Sequence, residues 1–139
     1  MPITLNNKVG VKINSVDVSD VVTSASLNYA FDELEITSMG DTAHRFVKGL
    51  QSGTFSISFI NEFASNDILD TLITNWGSTV GVKLLQDTGS AVSDTNKLYT
   101  FDILVNNLTP INGSVADISM QDVTFTINGA VTVADSGTF

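Results

Sequence analysis

The chain has 139 residues and a mass of 14.8 kDa, a length that fits one domain and leaves no room for a two-lobed enzyme. Leu, Ile, Val and Phe supply 45 residues, while six Lys and Arg face fifteen Asp and Glu for a net charge of −9. A core is therefore expected, and the attraction to phosphate backbones or anionic lipid on which nucleic-acid and membrane-surface binders rely is excluded. With no cysteine there is no disulfide, no thiolate nucleophile and no cysteine-ligated metal.

The amino-terminal stretch MPITLNNKVGVKINS lacks the basic start and apolar run of a secretory leader, and no stretch approaches eighteen apolar residues, so neither leader nor membrane anchor is expected. Short alternating runs rich in Val, Ile, Thr and Phe predict strands at residues 9–13, 22–31, 34–37, 53–61, 79–85, 98–107 and 118–127, each bounded by Gly, Asn, Asp or Ser. One helix is predicted over residues 66–76. Ser65 or Asn66 caps it, Asp67 and Asp70 lie in its first turns, and Gly77 stops it. Ile68, Leu69, Leu72, Ile73 and Trp76 share one face, which requires a sheet to lie against. The reading is a single mainly β domain over 1–139, with a long loop at 38–52, a polar loop at 87–97 and a carboxy-terminal arm at 128–139.

The strands have one apolar and one small polar face. Ala25, Leu27, Tyr29 and Phe31 oppose Ser24, Ser26 and Asn28; Phe55, Ile57 and Phe59 oppose Thr54, Ser56 and Ser58; Val123, Phe125 and Ile127 oppose Asp122, Thr124 and Thr126. The strand at 98–107 follows the same rule less purely, with Tyr99, Phe101, Ile103 and Val105 against Thr100, Asp102 and Leu104. Ordinary wet faces carry Lys and Glu, whose charges keep molecules apart. Here hydroxyls and amides replace them, with 31 Ser and Thr and 12 Asn in the chain. Such a face has no cation to pair with a phosphate, and suits a polyanion sliding past. A lightly charged extracellular β-domain produces the same pattern.

Catalytic chemistry finds little footing. Asp87-Thr88-Gly89-Ser90 matches the core of the aspartic protease motif and Asp135-Ser136-Gly137 offers a second carboxylate, but a shared-proton dyad needs two lobes, and the same residues are ordinary turn formers. His44 is the only histidine and no serine sits in a Gly-x-Ser-x-Gly elbow. Asp87 and Asp94 lack regular calcium-loop spacing. Asn107-Leu108-Thr109 and Asn112-Gly113-Ser114 match the glycosylation pattern, but with no leader ahead of them they are discounted. No enzyme, metal or cofactor is expected. The loop at 38–52 gathers His44, Arg45 and Lys48 among Phe46, Val47 and Leu50, opposite the acidic Asp32, Glu33 and Glu35. This arrangement suits a head-to-tail contact with a neighbouring copy, the kind that closes rings or propagates fibres.

Taken in order, VTSASLNYAFDELEIT, the loop SMGDTAHRFVKGLQSG, GTFSISFINEF, the helix SNDILDTLITNWG, and the strands VGVKLLQ, LYTFDILVNNLTPI and DVTFTINGAV resemble the major tail tube proteins of long-tailed bacteriophages of the siphophage type. The likeness covers nearly the whole chain and rests on the order of features. It implies an antiparallel two-sheet β-sandwich or barrel with one helix outside, hexameric rings stacked into a hollow tube, and DNA ejected through it without specific binding. Ser24, Ser26, Asn28, Ser56, Ser58, Asp102, Asp122, Thr124 and Thr126 become candidate lumen residues. His44, Arg45, Phe46, Val47, Lys48 and Leu50, with Asp32, Glu33 and Glu35, become candidate subunit contacts. It further implies tape-measure, tail-tip and tail-terminator partners, no membrane, no further decoration domain after residue 139, and a product made in the host cytoplasm and carried in the virion tail. The alternatives are a carbohydrate-binding or adhesin-like module, for which exposed aromatic platforms are lacking, and another virion part such as a contractile-tail tube, a tail terminator or a capsid decoration protein.

Overall fold

The computed structural model describes residues 8–61 and 67–139. In chain order these form β1 (Gly10–Ile13), β2 (Val16–Asp17), β3 (Val22–Glu35), β4 (Phe46–Ile60), α1 (Ile68–Thr74), β5 (Thr79–Leu85), β6 (Leu98–Leu104), β7 (Met120–Ile127) and β8 (Thr132–Ala134). The architecture is mainly β and antiparallel throughout, as expected. Among the described residues the strands run β2-β1-β5-β6-β7-β4-β3 in one hydrogen-bonded path, with β8 added to β6.

That path folds over on itself at one place. β6 and β7 share only the pairs Ile103↔Ile127 and Leu104↔Thr126, a corner that separates a leaf of β1, β5 and β6 from a leaf of β3, β4 and β7. Val11 and Val82 from the first leaf and Phe55, Ile57, Val123 and Phe125 from the second belong to one buried cluster, which is how a continuous sheet makes a sandwich. The Phe55 and Phe101 rings meet edge to face across it, 5.3 Å between centroids. On the side away from the corner, a cleft of about 450 Å³ opens between β3 and the strands β1, β5 and β6, lined by residues such as Val11, Leu27, Tyr29, Leu85 and Tyr99.

α1 is shorter than expected. Ile68, Leu69, Thr71 and Leu72 are buried and Ile68 and Leu72 join the core, whereas Ile73 in the last turn and Trp76, beyond the helix end at Thr74, are half exposed. Gly77 takes the left-handed conformation, φ +78°, that ends helices. Asp67 occupies the N-cap position without a side-chain cap bond; Ser65 and Asn66 lie outside the described residues.

The largest departure concerns the loop expected at 38–52. Residues 46–52 are the first half of β4, and the strands expected at 22–31 and 34–37 are one strand, so the true connection is 36–45. Pairing of Glu33 with Lys48, Leu34 with Val47 and Glu35 with Phe46 satisfies the backbone across a bulge after Phe31. Gly49 lies at that bulge, where a Cβ would come within 3.0 Å of the Asp32 Cβ. The carboxy-terminal arm is docked: β8 pairs with β6, and the Lys12 ammonium donates to the Phe139 carbonyl at 2.8 Å while sitting 4.8 Å from its ring centroid.

Candidate assembly surfaces

The outward face of the second leaf is built by register. Ser24 pairs with Ser58, Ser26 with Ser56 and Asn28 with Thr54; on the other side of β4, Ser58 pairs with Asp122, Ser56 with Thr124 and Thr54 with Thr126. Directly opposed residues share a face, so eight of the nine candidate lumen residues form one continuous patch. Asp102 follows around the corner, two positions before Leu104, the partner of Thr126. Ser24, Ser26, Asn28, Asp122, Thr124 and Thr126 are exposed and Ser56 and Ser58 half-buried; the Ser56 and Thr124 hydroxyls bond to each other at 3.0 Å. No Lys or Arg occurs in residues 22–30, 52–60 or 120–127, so the patch is neutral to acidic.

The second feature is the far half of the β3–β4 hairpin. β7 pairs with β4 only from Thr54 to Ile60, so beyond Gly53 the hairpin projects as a two-stranded arm. At that exit point β3 passes very close: a Cβ on Gly53 would fall 2.6 Å from the Asn28 carbonyl oxygen. The arm exposes Tyr29, Phe31, Leu34, Ile36, Met39, Phe46, Val47 and Leu50, more apolar surface than a monomer normally leaves wet. Its charges meet one another. The His44 Nδ1 pairs with the Glu35 carboxylate, Arg45 lies 3.8 Å from Asp41, Glu33 stands opposite Lys48, and the Lys48 ammonium sits 4.9 Å from the Phe31 ring centroid. Asp32 occupies the bulge. The cations and carboxylates expected to meet between copies are thus neighbours within one hairpin, which leaves side chains such as Leu50 and Phe46 as what the arm offers outward.

A third feature escaped the sequence reading. Gln121, 1 % exposed, donates to Asn61 Oδ1 at 2.8 Å and accepts the Thr109 backbone N–H at 2.8 Å; Asn61 in turn donates to the Ser119 hydroxyl at 2.7 Å. This buried network pins both ends of residues 109–119, and the loop between carries Ile111, Val115 and Ile118 exposed at 94 %, 99 % and 67 %. The signal was present in the sequence: Gln121 falls in phase with Val123, Phe125 and Ile127 on the core side of its strand.

The protease-like tetrapeptide is a turn. Asp87 accepts from the Gly89 N–H at 2.9 Å and the Ser90 hydroxyl at 3.3 Å, and Thr88 donates its N–H and hydroxyl to the Lys8 carbonyl. Asn96 laces the rest of that loop to the Asp87 and Ala91 carbonyls. Among the described residues no three His, Asp or Glu gather as a metal site requires.

Neither a known family model nor a curated protein sequence matches the chain. Solved structures do. A chain in the virion of a native gene transfer agent particle superposes with a TM-score of 0.75 over 95 % of this chain and 99 % of that one, at 9 % sequence identity. A chain in the tail of an empty gene transfer agent particle, computed with helical refinement and C6 symmetry, superposes with a TM-score of 0.60 over 82 % of each chain, at 13 % identity. The fold is shared with gene transfer agent virion and tail chains. The architecture implied by the sequence likeness to tail tube proteins is therefore the one observed, and the neighbour in the tail particle belongs to an assembly with six-fold symmetry.

Proposed function

We propose that this chain is a structural protein of a phage-type tail, assembling into stacked hexameric rings that form a hollow tube for DNA ejection and performing no bond chemistry. The observation that carries the reading is the outward face where β3, β4 and β7 run side by side: small polar side chains in register, and not one cation in residues 22–30, 52–60 or 120–127. A wall of this kind gives a passing duplex no phosphate partner, and Asp122 and Asp102 repel it weakly. The projecting arm supports assembly, because a two-stranded ribbon with apolar side chains on its surface is unstable in isolation and gains burial only against another molecule. β3 is also a terminal strand fourteen residues long, an edge that ring closure would cover. The six-fold particle that contains a neighbour of this fold supports the hexamer.

On this reading the protein acts in the virion tail after synthesis in the host cytoplasm, and meets tape-measure, tail-tip and tail-terminator proteins at the tube ends. Negative-stain electron microscopy of concentrated protein, beside light scattering, tests it. Rings or hollow tubes with an axial repeat are the expected result; a persistent monomer that binds glycan would replace the reading with that of a binding module.

A further inference from the structure

The arm and the loop at 109–119 sit at opposite poles of the molecule. β4 runs from Phe46 in the arm to Ile60, next to Asn61, whose backbone N–H bonds the Ser119 carbonyl. Fifteen residues of strand at about 3.3 Å each separate the poles by up to roughly 50 Å. At one pole the hairpin tip presents Ile36, Met39 and Phe46, with Met39 exposed at 103 %. At the other the loop presents Ile111, Val115 and Ile118, held in position by the Gln121–Asn61 network. The two patches cannot meet within one copy.

We propose that they meet between copies: the hairpin tip of one subunit docks on the 109–119 loop of the next subunit along the tube. The inference rests on the tail reading above and names the receiving surface for the arm. Three observations favour this occupant. One heterologous contact covers both patches, whereas tip against tip would leave the loop uncovered and need a second contact. Charge is compatible: Asp117 is the only charged residue in 105–119, while Arg45 at the tip holds Asp41 only at 3.8 Å and can turn to it. The size fits as well, since six large apolar side chains at these exposures present on the order of 800 Å² in total, the core of a modest interface that the rest of the arm extends.

The absence of cysteine makes the test clean. Met39→Cys and Val115→Cys are made singly and together at positions whose side chains touch almost nothing, so folding is unaffected, and each protein is treated with a short bis-maleimide under assembly conditions. The proposal expects the mixture of the two single variants to give a covalent dimer about tenfold above either alone, and the double variant to give a ladder that passes six copies on a denaturing gel. Tubes without a ladder, a ladder that stops at six, or efficient dimers of Met39→Cys alone would overturn it while leaving the tail reading standing. Wild-type protein that stays monomeric by scattering and microscopy would instead overturn the tail reading, and this proposal with it.

Discussion

The two halves of the β3–β4 hairpin are one continuous strand pair with opposite fates. Near the core, Phe55, Ile57 and Phe59 are buried, with Leu27 and Ala25 beside Phe55 and Ile57 on the same face; farther out, Tyr29, Phe31, Leu34, Phe46 and Val47 are exposed. Local sequence does not make the difference, since both halves are rich in aromatic and branched side chains suited to strands. The difference is the third strand and the facing leaf: β7 ends opposite Thr54, and among the described residues the apolar side chains of the arm beyond Gly53 stay exposed. A strand pair of this composition left exposed gains burial only against another molecule, and the sheet topology decides where that exposed surface begins.

Truncating a phenylalanine in each half should separate the two most strongly. Phe55→Ala should lower stability by about 3–5 kcal/mol in urea unfolding, and Phe46→Ala by no more than about 0.5 kcal/mol, while only the latter leaves a well-folded monomer that assembles poorly. Equal losses in both would mean that the arm packs on its own chain. Gln121→Ala comes next, at about 2–3 kcal/mol, because the Thr109 N–H and Asn61 Oδ1 lose their partner in a buried site; Ile111 and Ile118 should then show altered proteolytic exposure. Gly53→Ala should cost about 1–3 kcal/mol through the close Asn28 carbonyl, a loss visible as a lower melting temperature.

Two smaller effects on stability sharpen the account on the assembly side. Leu50→Ser should leave the monomer within about 0.5 kcal/mol yet raise the concentration needed for assembly about tenfold, as loss of a buried leucine implies; sedimentation across a dilution series measures it. Ser56→Lys with Thr124→Lys should cost the monomer about 1 kcal/mol, from the lost hydroxyl pair and two ammoniums placed directly opposite each other. In reconstituted particles the same pair should slow DNA exit, and unchanged ejection kinetics would argue against a lumen position.

Much of this was legible in the chain because strand periodicity is exact. The Phe55-Ile57-Phe59 and Val123-Phe125-Ile127 alternations placed core and outer faces correctly, and β5 spans the residues expected, Thr79–Leu85. Glycine misled the reading elsewhere. Gly49 and Gly53 look like loop punctuation and make 46–52 read as a loop, yet one accommodates a bulge and the other a close strand approach. β2 and β8 are too short to show a period. The cis pairing of His44 with Glu35, and the corner between β6 and β7, depend on strand register, which local composition does not encode. Ile73 and Trp76 fit a helical stripe over 66–76, but the helix ends at Thr74 and both are exposed.

The most direct test is a helical reconstruction of assembled protein by electron cryomicroscopy. The expected result is a hollow tube with Ser56, Thr124 and Asp122 on its inner wall and the hairpin arm buried between subunits. A filament in which that face points to the outside, or is packed shut between copies, would contradict it.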